Sequence, residues 1–92
     1  MPIGERAAML HAVEKLEALG ASLPFPHQSN IQGAVGLREL RPRAGRSPWR
    51  GLYGQIGEAF VVVAIGPEAN VDPRGFKRSL RVAAERLAEI DM

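Results

Sequence analysis

Residues 59–65 read AFVVVAI, seven apolar side chains with no polar break. A strand that alternates apolar and polar residues can face water on one side. This one is apolar on both parities, which predicts a central strand with both faces covered. The chain has 92 residues to supply that cover, enough for one domain with a single modest core and too few for two. We therefore expect residues 1–92 to form one unit.

Two other strand candidates precede it, at residues 37–41 and 49–56. The intervening turn signals are Pro42 to Pro48, with Gly45 inside, and Gly57-Glu58, so both connections are short enough for antiparallel hairpins. Helical patterns flank the strands. From Ile3 to Leu19 the apolar positions Ile3, Ala7, Leu10, Ala12 or Val13, Leu16 and Leu19 recur at helical spacing, and Gly20 follows as a stop signal. Asp72-Pro73 reads as an N-cap with proline at the first helical position, followed by Phe76, Leu80, Ala83, Leu87 and Ile90 at steps of four and three. Between the first helix and the strands, residues 21–32 carry two prolines and no periodicity and are expected to be a surface loop. The predicted fold is α+β: a small antiparallel sheet of about three strands, with N-terminal and C-terminal helices packed on one face.

Charge is concentrated in one place. Residues 36–53, GLRELRPRAGRSPWRGLY, hold Arg38, Arg41, Arg43, Arg46 and Arg50 against a single acid, Glu39, and close with Trp49 and Tyr53. The net charge of the whole chain is only +2, so the basic character is local. Arginine keeps its charge at any physiological pH and presents a planar fork that fits phosphate oxygens, which points to an anionic partner such as RNA. The two aromatics can stack on bases. The plainer account is a basic surface that discourages edge pairing. Strand parity puts Glu39 and Arg41 on one side, Arg38 and Leu40 on the other, Arg50 with Leu52, and Trp49 with Tyr53. Whether Arg41 and Arg50 meet across the hairpin depends on register.

Other chemistry is thinly signalled. There is no cysteine, which excludes disulfides and thiolate metal sites and fits a reducing cytoplasm. His11 and His27 lack the spacing of a metal site, so no metal or cofactor is expected. His11 is expected at the helix surface, and His27 can act as a general base only where its loop folds over the arginines. The glycines of residues 33–54 form no phosphate-loop pattern followed by a helix. Arg74, Lys77, Arg78 and Arg81 interleave with Glu85 and Glu89 as a solvated helix face. The N-terminal residues lack the apolar run of a signal peptide, and no stretch approaches a membrane span, so the chain is read as soluble and cytoplasmic.

Leu37, Glu39, Leu40 and Arg41, followed by Trp49, Arg50, Leu52 and Tyr53 and then an apolar strand, resemble the RelE/HigB-like toxins of toxin–antitoxin pairs. The likeness is to their phage-derived branch, with its Leu-Trp-Glu-Leu-Arg and Tyr-Arg-x-x-Tyr strands. It implies a RelE/ParE-like fold and a metal-free endoribonuclease that cuts messenger RNA, usually on the ribosome, and is neutralised by a helix-turn-helix antitoxin. On this resemblance Arg50 stabilises the phosphate, Arg41 binds or orients it, and Tyr53 stacks or transfers a proton. Arg38, Arg43, Arg46 and Trp49 would then contact RNA. The chain differs in having Arg38 where the family has Trp, in lacking the lysines that follow the family's last strand, and in starting with a helix where the family starts with a strand. These differences imply an edge strand missing from the sheet, with homodimer or antitoxin pairing at the open edge. They also keep a second reading in view: a catalytically silent module of the same fold that binds RNA or antitoxin.

Overall fold

A computed structural model describes residues 1–90. The elements run α1 (Ile3–Leu19), β1 (Gln28–Asn30), β2 (Arg38–Leu40), β3 (Trp49–Ile56), β4 (Ala59–Pro67) and α2 (Pro73–Ile90), with short 3₁₀ turns at Gly20–Ser22 and Pro42–Gly45. The four strands form one open antiparallel sheet in the order β1-β2-β3-β4. The α+β class and both hairpins agree with the sequence reading.

The terminal signals of both helices act as expected. Gly20 closes α1 with a φ of 53°, and its N–H bonds back to the Leu16 carbonyl. At α2, Asp72 Oδ1 accepts the Gly75 N–H at 2.9 Å, capping a helix that begins at Pro73.

Expectations about the faces and edges of the sheet, about α1 and about residues 21–32 need correction. The helices do not share a face of the sheet. Met9, Ala12 and Leu16 of α1 pack with Leu23, Leu40 and Tyr53 on one side, while Ala83 of α2, flanked by Phe76, Leu80 and Leu87, packs with Leu37, Leu52, Val63 and Ala64 on the other. The apolar strand is covered on both faces for this reason, yet it is an edge strand and not a central one. Periodicity reports how many faces are covered and says nothing about how many neighbours a strand has. Arg86 from α2 donates to the Val63 carbonyl at 2.8 Å, a charged side chain set on the backbone of that edge strand.

The second correction concerns α1. Its buried residues are Ala8, Met9, Ala12 and Leu16, whereas Ile3, Leu10 and Leu19, all part of the predicted stripe, are exposed, Ile3 by 82%. Apolar residues surround much of this helix, so the sequence left its rotation open. The third is the fourth strand. The chain begins in α1, and the sheet gains its extra strand from within the predicted loop: Gln28–Asn30 pairs with β2, Gln28 opposite Leu40 and Asn30 opposite Arg38. Its residues are all polar, so no hydrophobic pattern could mark it. Gln28 is held by its own side chain, whose Nε2 donates to the Leu23 carbonyl and whose Oε1 accepts from Arg38.

Leu16, Leu40 and Leu52 are almost fully enclosed. Each contributes about 1.5–3 kcal/mol relative to an exposed side chain, so the two clusters on either side of β2 and β3 fix the strand positions from which the hairpin arginines project.

Candidate functional site

The β2–β3 hairpin carries the basic run, and its turn is strained. Arg43 and Ala44, neither of them glycine, both take a left-handed φ of 55° within Pro42–Gly45. Such residues cost about 1–3 kcal/mol each and persist only where surrounding contacts hold them.

Arg50 supplies those contacts. Its side chain is only 4% exposed. One terminal nitrogen donates to the Ser47 carbonyl at 2.6 Å and to the Trp49 carbonyl at 3.0 Å. The other donates to the Gly45 carbonyl at 3.3 Å and to Glu68 Oε2 at 2.5 Å. Nε faces Glu39 Oε1 at 3.7 Å. The two terminal nitrogens thus spend their four N–H groups on protein acceptors, while Nε faces Glu39 as an ion pair without a hydrogen bond. Burial pulls its pKa below the ordinary value, Arg41 adds to the pull, and Glu39 and Glu68 oppose it.

Arg41 and Arg50 do come together, through a shared acid. Arg41 donates to the same Glu39 oxygen at 2.8 Å and to the Pro26 carbonyl at 3.1 Å, and its guanidinium lies 5.5 Å from the centre of the Phe25 ring. With 22% of its side chain exposed against 4% for Arg50, Arg41 is the arginine of this cluster that reaches solvent. The arrangement alternates in charge: Arg41, Glu39, Arg50, Glu68.

Tyr53 is elsewhere. Parity sends Arg50 to the α2 side of the sheet with Leu52, and Tyr53 to the α1 side, where it packs in the core edge-on to Phe60 with ring centres 6.2 Å apart. Burial raises its hydroxyl pKa above 10.0, opposed by the charge of Arg38, its partner across the strand pair. Trp49 lies half-buried at the margin of the same core.

The remaining arginines divide by partner. Arg43 makes a two-pronged pair with Glu5 at 2.7 and 2.8 Å and bonds the Gly4 carbonyl, tying the turn to the start of α1. Arg38 is exposed and bonds Gln28 at 3.0 Å, and Arg46 is exposed and bonds only the Arg43 carbonyl. Among the described residues, Arg38 and Arg46 are the two cations of the run without an acidic partner. The fold neutralises the other three with acids drawn from positions 5, 39 and 68. Glu68 went unseen in the sequence because it stands far along the chain, and only the pairing of Arg50 with Gly66 brings it alongside. Among the described residues no three histidine, aspartate or glutamate side chains are grouped as metal ligands, and no helix is long and apolar enough to cross a membrane.

The family model "Phage derived protein Gp49-like (DUF891)" matches residues 1–67, from the start of the chain through the last residue of β4. The chain belongs to the Gp49-like family. The match takes in α1, the sheet and the entire arginine hairpin, and it stops short of α2. No curated protein and no solved structure matches the chain. A phage-derived Gp49-like domain with this α+β architecture is consistent with a toxin-like module, in line with the resemblance read from the two strand motifs.

Proposed function

We propose that this Gp49-like domain is the toxin component of a toxin–antitoxin pair and acts in the cytoplasm as an endoribonuclease on messenger RNA, held on the ribosome. The observation that supports this most directly is that the family match spans the whole hairpin that carries the unpaired cations, Arg38 on β2 and Arg46 in the connection, and Trp49 at the start of β3. In such cleavage the ribose 2′-hydroxyl attacks the adjacent phosphate, and negative charge builds on the phosphorane and the leaving oxygen. Arg41 is the partly exposed arginine suited to meet that charge. Arg50 acts through it, holding Glu39 and the strained turn in place. The neutralising partner on this reading is a small helix-turn-helix antitoxin, and an open edge of the sheet is where a strand from it, or from a second copy, adds.

A second reading, the catalytically silent RNA- or antitoxin-binding module, is favoured by one specific observation. The terminal nitrogens of Arg50 are engaged by protein groups, and Tyr53 lies across the sheet, so the three residues do not face one phosphate. Induced expression in bacteria separates the two readings, with growth followed and messenger RNA ends mapped for wild type and for Arg41→Ala. Growth arrest with new RNA ends in wild type, lost in Arg41→Ala at equal soluble protein, is the outcome expected of the nuclease. Normal growth with intact RNA, and RNA retained on the protein at low salt and released as salt rises, is the outcome expected of the silent module.

A further inference from the structure

The chain has only two histidines, and the fold brings both to one cavity. Between α1 and the segment that enters β1 lies a groove of about 640 Å³, inside the range of roughly 300–1,000 Å³ usual for small-molecule sites. It exists because α1 presents alanines there: Ala8 and Ala12 stop short of the sheet where longer side chains would fill the space. Leu23 and Leu40 complete an apolar floor. The rim carries Lys15 and Glu14 on the helix and Arg41 and Arg43 on the hairpin side; the two arginines are paired with Glu39 and Glu5, so that among the described residues Lys15 is the rim cation without an acidic partner.

His11 stands on the helical wall, its Nδ1 3.8 Å from Glu14 Oε1. His27 stands on the strand wall, held by its backbone: its N–H bonds the Pro24 carbonyl and its carbonyl accepts the Arg41 N–H at 2.9 Å. That second bond sets His27 next to Arg41, the partly exposed arginine of the hairpin. An apolar floor suits a nucleobase and a cationic rim suits its phosphate. Imidazole is the side chain that accepts and returns protons near neutral pH.

We propose that this groove is a nucleotide site for single-stranded RNA, with the phosphate met by Lys15 and by the partly exposed Arg41, and with His11 and His27 as the proton-transfer pair of cleavage. The inference rests on the RNA-directed reading above and provides acid–base groups on the open side of the hairpin. In the step, one imidazole takes the proton of the 2′-hydroxyl as its oxygen bonds to phosphorus. The bond from phosphorus to the 5′ oxygen breaks, and the other imidazolium protonates that oxygen. The products are a 2′,3′-cyclic phosphate and a 5′-hydroxyl.

Two histidines make the imidazole region of an NMR spectrum a direct report on the groove. The first probe is a short mixed-sequence single-stranded RNA whose 2′-hydroxyls are methylated, so that it binds without being cut. Both imidazoles are expected to shift together and to saturate. Unmodified RNA is expected to be cut to cyclic phosphate ends, and His11→Gln and His27→Gln each to slow cleavage by about 100-fold or more while binding the methylated RNA within about threefold of wild type. Imidazole signals that stay still while hairpin amides move would overturn the site. Histidine variants that cut as fast as wild type would overturn the proton-transfer roles and leave the toxin reading standing. RNA that moves both imidazoles yet remains intact with wild type would also overturn those roles. An acidic helical peptide that moves them where RNA does not would assign the groove to a protein partner, and a wild type that neither binds nor cuts RNA would remove the toxin reading itself.

Discussion

The two faces of the sheet are each covered by one helix, and they are closed to different degrees. On the α2 face the backbones approach closely: a side chain at Gly66 would overlap Ser79, and the ionic cluster around Arg50 seals the end of the same face. On the α1 face the helix stands off on alanines, leaves Ile3 and Leu10 exposed, and opens a groove beside the hairpin. The tight face holds a strained turn in position, and the loose face leaves room for a ligand. Chemistry that needs an accessible site belongs with the second, although the best motif arginine lies in the first.

The largest difference between the faces should appear at Arg50. Arg50→Ala removes one partner of a buried pair and leaves Glu68 and the carbonyls of Gly45, Ser47 and Trp49 without that donor, which should cost about 3–5 kcal/mol in denaturant unfolding. A loss under 1 kcal/mol would mean that the guanidinium is a replaceable surface group free to meet phosphate. In activity assays Arg50→Ala should therefore be compared with wild type only below its own unfolding transition.

Next in size is a pair of identical substitutions on opposite faces. Gly66→Ala drives a methyl into the Ser79 side chain and should destabilise by about 1–3 kcal/mol. At Gly51 the same methyl meets Met9 Sδ at 3.2 Å and Leu40 Cβ at 3.4 Å. Methionine yields easily, so Gly51→Ala should cost under about 1 kcal/mol. Equal losses would show that the α1 face is packed as tightly as the other.

The smallest effect concerns pH. The pKa of Tyr53 is raised in the folded chain, by burial above all. Below its ordinary value of 10.0 both folded and unfolded chains keep the proton, and the stabilisation is fully present. As pH rises beyond that value the unfolded chain ionises first, so stability falls progressively until the folded pKa is passed. Tyr53→Phe should be within about 1 kcal/mol of wild type at neutral pH and should lose this alkaline component in thermal melts taken across the range. An unchanged alkaline slope would place the hydroxyl in solvent, within reach of a substrate.

Much of the frame was legible before the structure. Turn residues at 42–48 and 57–58, the Asp72-Pro73 start of α2 and the Gly20 stop of α1 each act locally, through a few dihedrals or one hydrogen bond, and each held. The basic hairpin was legible for a similar reason, since charge density is a property of composition. The strand Gln28–Asn30 was hidden because its order comes from a neighbour's ladder and not from its own side chains. The rotation of α1 was hidden because apolar residues on several sides of a helix leave more than one face eligible for burial.

Local geometry and residue type were enough to set the α+β class, the hairpin order and the concentration of arginines. Which of those cations carry an acidic partner was set by long-range packing. Glu5, Glu39 and Glu68 are scattered along the chain, and strand register with helix docking brought them to Arg43, Arg41 and Arg50. The same docking carried His27 out of an unpatterned loop to the side of Arg41 and placed His11 across the groove from it. Such meetings depend on long-range packing, in which the free energy of each contact depends on all the others, and no window of sequence contains them.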